Sequence, residues 1–175
     1  MTLQLLKAAG VVFAAFLAEI AIFGPLQIGG GSADVVLVTV ALVALLSGSV
    51  VGAVAGFWAG LLLDTATLGT LGVTALLLTL VGFWCGRYGE TTARDRAHAP
   101  FLAVAVVTVL AALGNLILQF TLGEPTSARW MLVDSLIPQL VMNVLLTLPL
   151  YVVLRPLFAR RRLPTAITRE VELVG

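Results

Sequence analysis

From Val35 to Leu63 the chain runs 29 residues without one charged side chain, and from Pro100 to Thr121 it runs another 22. A helix needs about 20 apolar residues to cross the hydrocarbon core of a bilayer. In hydrocarbon, every backbone N–H and C=O must find its partner within the protein, which leaves helices or closed barrels as the only spanning forms. Runs of this length select helices. Only 11% of the residues are charged, against about 25% in ordinary soluble domains. With a mean hydropathy of +1.10, the expected fold class is an all-α integral membrane protein, folded as one compact bundle.

Six spans are predicted, near residues 4–24, 33–47, 49–66, 68–86, 100–122 and 130–154. They form a single transmembrane domain over 1–160, followed by a cytoplasmic tail over 161–175. Gly24-Pro25 and the glycines 29–31 break the chain after the first span. Thr65 to Thr70 makes a later turn, Gly123-Glu124-Pro125 another, and Arg87 to His98 reads as a polar loop. One helix over Val35–Leu63 would be about 44 Å long at 1.5 Å per residue. That exceeds the hydrocarbon core by more than a modest tilt absorbs. A turn at Ser47-Gly48-Ser49 is therefore predicted, between two short helices.

That turn begins a ladder of small residues at four-residue spacing: Gly48, Gly52, Gly56, Gly60, and then Asp64. In water each interior glycine costs a helix about 1 kcal/mol relative to alanine. In a membrane, small residues let a second helix approach closely. Four residues turn a helix by about 400°, so the stripe drifts by about 40° per step. It follows an i±4 ridge and is expected to meet more than one neighbour. Gly82 and Gly86 repeat the spacing in span four. Packing inside the monomer is favoured over a homo-oligomer seam.

Basic residues fix the orientation. With six spans, Lys7, Arg87, Arg94, Arg96, Arg155, Arg160, Arg161, Arg162 and Arg169 lie inside and only Arg129 outside. A five-span reading gives eight to two, so helix count rests on length. The first span resembles a signal peptide in hydropathy. Glu19, Gly24-Pro25 and the lack of a small-x-small cleavage site point to a retained helix.

Polar residues within the spans are candidates for function by default. Asp64 stands at the outer end of span three, as a functional carboxylate or as a cap at the interface. Glu19 lies near the end of span one, as an ion site or as a side chain paired at the interface. Asp34 opens span two and suits an N-cap. Asn115 and Gln119 lie four apart on span five; Ser135, Gln139, Asn143 and Thr147 continue that spacing on span six. Asn115 and Gln139 are expected at similar depth, as polar glue between antiparallel helices. Pro138 and Pro149 are expected to kink span six or end its regular hydrogen bonding.

No catalytic constellation stands out. His98, the sole histidine, lies in the basic loop, and Cys85, the sole cysteine, excludes an internal disulfide. No cofactor, metal or nucleic-acid partner is expected. The basic run Arg155–Arg162 suits anionic lipid, and the positive-inside rule asks for the same charges.

The block Gly56-Phe57-Trp58-Ala59-Gly60-Leu61-Leu62-Leu63-Asp64, then Leu71-Gly72-Val73-Thr74-Ala75-Leu76, then Leu80-Val81-Gly82-Phe83 and Gly86, resembles the rod shape-determining protein MreD family. The resemblance runs from Asp34 to Gly86 in motif, and elsewhere in hydropathy and length alone. Ala33 stands where the family commonly has a proline before the aspartate. The resemblance implies a non-enzymatic, multi-pass protein of the bacterial inner membrane with both termini cytoplasmic. It implies association with an MreC-like bitopic partner and, through it, with MreB and the RodA–transpeptidase synthase. It also implies a distant likeness to the six-helix substrate-binding subunits of energy-coupling-factor transporters.

Two functions follow as expectations. In the first, a scaffold for cell elongation, Gly48, Gly52, Gly56, Gly60, Gly82, Gly86, Asp34 and Asp64 form the packing and partner surface. In the second, a solute-binding or transport subunit, Glu19, Asp64, Asn115, Gln139 and Asn143 line a pocket. Trp58, Trp84 and Trp130 are spread over three spans, which counts against a vitamin pocket.

Overall fold

A computed structural model describes residues 2–23, 27–28, 31–67, 71–91, 98–121 and 136–158. Six α-helices account for nearly all of them: α1 (Thr2–Ala18), α2 (Val35–Ser47), α3 (Ser49–Thr67), α4 (Val73–Thr91), α5 (Ala99–Thr121) and α6 (Leu136–Phe158). A π-helical turn, Glu19–Phe23, continues α1. Gln27–Ile28 pairs antiparallel with Gly31–Ser32 ahead of α2. The turn expected at residues 123–125, the side chains of Asn115 and Gln119, Ser135, Arg129, Trp130 and the tail 161–175 lie outside the described residues.

The centre of the bundle is α2. Each of its 13 residues is buried, and α1, α3, α4, α5 and α6 all pack against it. Its sequence is rich in valine, which in water favours strands. Inside an apolar bundle, a helix satisfies its own backbone and needs no pairing neighbour.

Packing of the outer helices is reversed relative to a soluble protein. Small residues such as Ala8, Ala55, Ala59 and Ala75 face inward, while Trp84 is 62% exposed and Leu145 69%. Among the described residues, 27 large apolar side chains are exposed, far more than the scattered few a water-facing surface carries. Three helical stretches, Leu3–Ala21, Ser49–Thr67 and Leu136–Phe158, are long and apolar enough to cross a membrane.

Gly48 separates α2 from α3 with φ at 106°, in the left-handed region that glycine adopts without steric cost. Its N–H still donates to the Ala44 carbonyl at 2.8 Å, and its own carbonyl accepts from Gly52 N–H at 2.9 Å. The chain therefore reverses without orphaning these backbone groups.

Two elements differ from expectation. The fourth helix runs to Thr91, five residues past Gly86 and into the segment read as a polar loop. Hydropathy marks where charge begins, and here the helix outlasts the apolar run because Gly89 packs on Leu45 and Glu90 bonds Ser49. The last helix continues through Pro138 and Pro149 and is not ended by them. Pro138 falls in the first turn, where an N–H has no intrahelical acceptor. Pro149 costs one interior bond, which the helix survives.

Candidate functional site

Two arrangements of the predicted residues organise the bundle: a zipper of small residues between α3 and α4, and a polar cluster at the start of α2.

The zipper is antiparallel and its register is read from the glycines. A Cβ added at Gly52 would collide with Ala44 and with the Gly82 carbonyl. One at Gly56 would overlap the Leu78 carbonyl, and one at Gly60 the backbone of Ala75. From the other helix, Gly82 lies against the Gly52 carbonyl and Gly86 against Ser49. Each step of about one turn along α3 is matched by one turn back along α4. Gly52 also meets α2, whereas Gly56 and Gly60 meet α4 alone. The ladder thus faces this chain's own helices, with backbone touching backbone.

Asp64 completes the same ridge. Buried at 2% exposure, its carboxylate accepts from the N–H groups of Gly72 at 2.8 Å, Thr74 at 3.2 Å and Ala75 at 3.3 Å. The first N–H groups of a helix have no intrahelical acceptor, and a negative charge suits the positive end of the helix dipole. Asp64 is therefore a cap, but of the next helix and not of its own. Gly72, with φ at 96°, turns the chain so that its amide points back to that carboxylate.

The start of α2 is capped by two acids at once. Val35 N–H donates to Glu19 Oε2 at 2.6 Å and Val36 N–H at 3.3 Å. Leu37 N–H donates to Asp34 Oδ1 at 2.8 Å, and Val38 N–H to the Asp34 carbonyl at 3.1 Å. The first four amides of the central helix are all satisfied, as a buried helix end requires. Asp34 is the N-cap that its position suggested, and Glu19 reaches across from the π-turn at the end of α1.

Asn143 ties this cluster to two more helices. Fully buried on α6, it accepts from Asp34 N–H at 2.9 Å and donates through Nδ2 to Thr108 Oγ1 of α5 at 3.1 Å. Thr108 passes its own proton to the Val104 carbonyl at 2.9 Å, and Thr147 bonds the Asn143 carbonyl at 2.7 Å. The polar contact between α5 and α6 thus runs through Thr108 and Asn143. Gln139 is partly buried one turn before Asn143.

The carboxylates proposed for a common pocket serve different helix starts. Glu19 sits with Asn143 at α2, while Asp64 sits at α4. The larger grooves are apolar instead: one of about 370 Å³ between α4 and α5, lined by Leu80, Trp84, Leu110 and Ile117, and one of about 530 Å³ between α1 and α3, lined by Val12, Phe13 and Trp58. Among the described residues, no group of three or more metal-ligating side chains assembles.

Two residues of consequence escaped the sequence reading. Thr108 looked like one more hydroxyl in an apolar run. Glu90, whose carboxylate takes Ser49 N–H at 2.8 Å and Ser49 Oγ at 3.1 Å, was hidden among the charges that follow Arg87. A signal for it did exist in the repeated Gly-Phe-Trp at 56–58 and 82–84.

An apolar exterior and an interior whose acids and amide hold helix ends together define an all-helical membrane protein built for close internal packing. The family model of the rod shape-determining protein MreD matches residues 1–161. The chain belongs to that family, and its role lies in determining rod shape. No curated protein and no solved structure matches it in the same comparisons.

Proposed function

We propose that this protein is a non-enzymatic scaffold of the bacterial elongation machinery, crossing the inner membrane six times with both termini in the cytoplasm. It binds an MreC-like bitopic protein and, through it, engages MreB and the RodA–transpeptidase synthase in support of peptidoglycan synthesis. The family match over 1–161 carries this reading. The use of Glu19, Asp34, Asp64 and Asn143 in tying helix starts together supports it. A scaffold needs a fixed shape more than an open cavity.

The glycine ladder and Asp64 act in this scaffold from within. Their faces are filled by α2 and α4, so a partner helix meets the outward side chains that this internal packing holds in position. Gly56→Leu and Gly60→Leu therefore weaken partner capture by deforming the bundle, whereas Trp58→Ala weakens it while the bundle stays folded.

The test is co-purification of an MreC-like protein from membranes, together with rescue of rod shape in cells lacking the chromosomal copy. Loss of both with Gly56→Leu, from a protein still inserted in the membrane, is the expected result. Full partner recovery and normal rods with Gly56→Leu and Gly60→Leu would sink the proposal.

A further inference from the structure

The two helices of the zipper match each other in sequence at an offset of 26 residues. Gly56-Phe57-Trp58-Ala59-Gly60 aligns with Gly82-Phe83-Trp84-Cys85-Gly86, and Asp64 aligns with Glu90. Both helices are 19 residues long, and each follows directly on a glycine with positive φ, Gly48 at 106° and Gly72 at 96°.

The match extends to contacts, which do not depend on the alignment. Moving the contact of Gly56 with Leu78 by the offset, and exchanging the helices, gives Gly82 with Gly52, which is observed. The contact of Gly60 with Ala75 becomes that of Gly86 with Ser49, also observed. The bond from Ala75 N–H to Asp64 becomes the bond from Ser49 N–H to Glu90, again observed. The exposed residues obey the same rule. Val50, Val54, Phe57 and Trp58 on α3 map onto Leu76, Leu80, Phe83 and Trp84 on α4, and all eight are exposed. Even the ring geometry repeats, with edge-on Phe-Trp pairs at 6.1 and 5.8 Å.

We propose that α3 and α4 are an inverted repeat about a pseudo-two-fold axis, in which Glu90 is the counterpart of Asp64. Each carboxylate fixes the start of the opposite helix. Because the helices are antiparallel, the two clamps lie at opposite ends of the pair. Small-residue ridges set how closely the helices approach, and the acids set where each one begins. The pair is thus a strut held at both ends, a different use of inverted symmetry from the rocking halves of transporters. This inference rests on the contacts alone and stands whatever partner the protein has.

Site-resolved hydrogen exchange on the full chain in lipid nanodiscs tests it. Glu90→Gln should speed exchange at the Ser49 amide by about tenfold or more, as expected for loss of a bond to a charged acceptor. The amides of Gly72, Thr74 and Ala75 should hardly change. Asp64→Asn should do the reverse. Arg87→Gln removes the ion pair that Arg87 makes with Glu90 at 3.8 Å, and should leave Ser49 protected. If Asp64→Asn does not fold, the Glu90→Gln and Arg87→Gln results decide alone. An unchanged Ser49 amide in Glu90→Gln overturns the proposal, and so does equal loosening of both ends by either variant.

Discussion

Gly52 and Gly82 each occupy the space that the other's side chain would need: a Cβ on either would run into the carbonyl of its opposite number. The contact is reciprocal, so it cannot be relieved by moving one helix past the other without disturbing both. Alanine at either position should destabilise the protein by about 1–3 kcal/mol, the usual range for overpacking. Gly10→Ala is the control, because nothing lies within 4 Å of a Cβ there. It should leave stability unchanged or raise it slightly, since alanine favours the helix. Unfolding in mixed micelles, followed by circular dichroism, separates the two outcomes.

Asn143 is the one side chain in the described structure that links the start of α2 to α5 through α6. Asn143→Leu leaves the Asp34 amide without its acceptor, and an unpaired buried donor costs about 1–3 kcal/mol. Thr108→Val removes only the far end of the chain and should cost less, about 0.6 kcal/mol, the average found for hydrogen bonds between membrane helices. The double variant should be no worse than Asn143→Leu plus a few tenths. Full additivity in a double-mutant cycle would mean that the two side chains do not interact.

Cys85 stands in the repeat where α3 has Ala59, and its side chain is 3% exposed. Cys85→Ala should therefore keep the fold and lose less than about 1 kcal/mol, since the partner helix already accepts alanine at the equivalent place. The same burial predicts slow labelling of the native thiol by a maleimide, with a cysteine placed at Val50 reacting many times faster. Comparable rates at the two sites would show that the inner face of α4 opens.

Glu19 and Asp34 cap one helix start together, and their replacement should not be equivalent. Glu19→Gln keeps an acceptor for Val35 and Val36 but loses the charge, and should cost about 1 kcal/mol. Asp34→Ala removes the bond to Leu37, a loss of about 0.5–2 kcal/mol at an N-cap. Thermal unfolding of both variants in one lipid composition orders them, with the pair Glu19→Gln/Asp34→Ala worse than either alone.

Much of the scaffold was readable from local chemistry. The break at Gly48 followed from length, because no helix of 29 residues fits the membrane without strong tilt. Asp34 followed from its place before an apolar run. What stayed hidden was long-range. Nothing near Asp64 says that its carboxylate turns to the start of the following helix, and nothing near Asn143 says that its acceptor oxygen meets an amide 109 residues away. The ladder's drift suggested several neighbours, but α4 follows the drift with a ridge of its own and takes most of it. Hydropathy also ended the fourth helix too early, because it registers charge and not hydrogen bonding.

A helical pair whose packing is the same from either end contains no instruction about which way to enter a membrane. In this chain the two ends are told apart by what stands at equivalent places: Leu61 on one helix, Arg87 on the other. With Arg94 and Arg96 following, that exchange places cationic charge at a single end, the kind of cue that sets orientation during insertion. Packing and address are thus written in separate residues. Arginines can be moved from one end to the other without touching a glycine contact, so the direction of insertion can be altered independently of the fold.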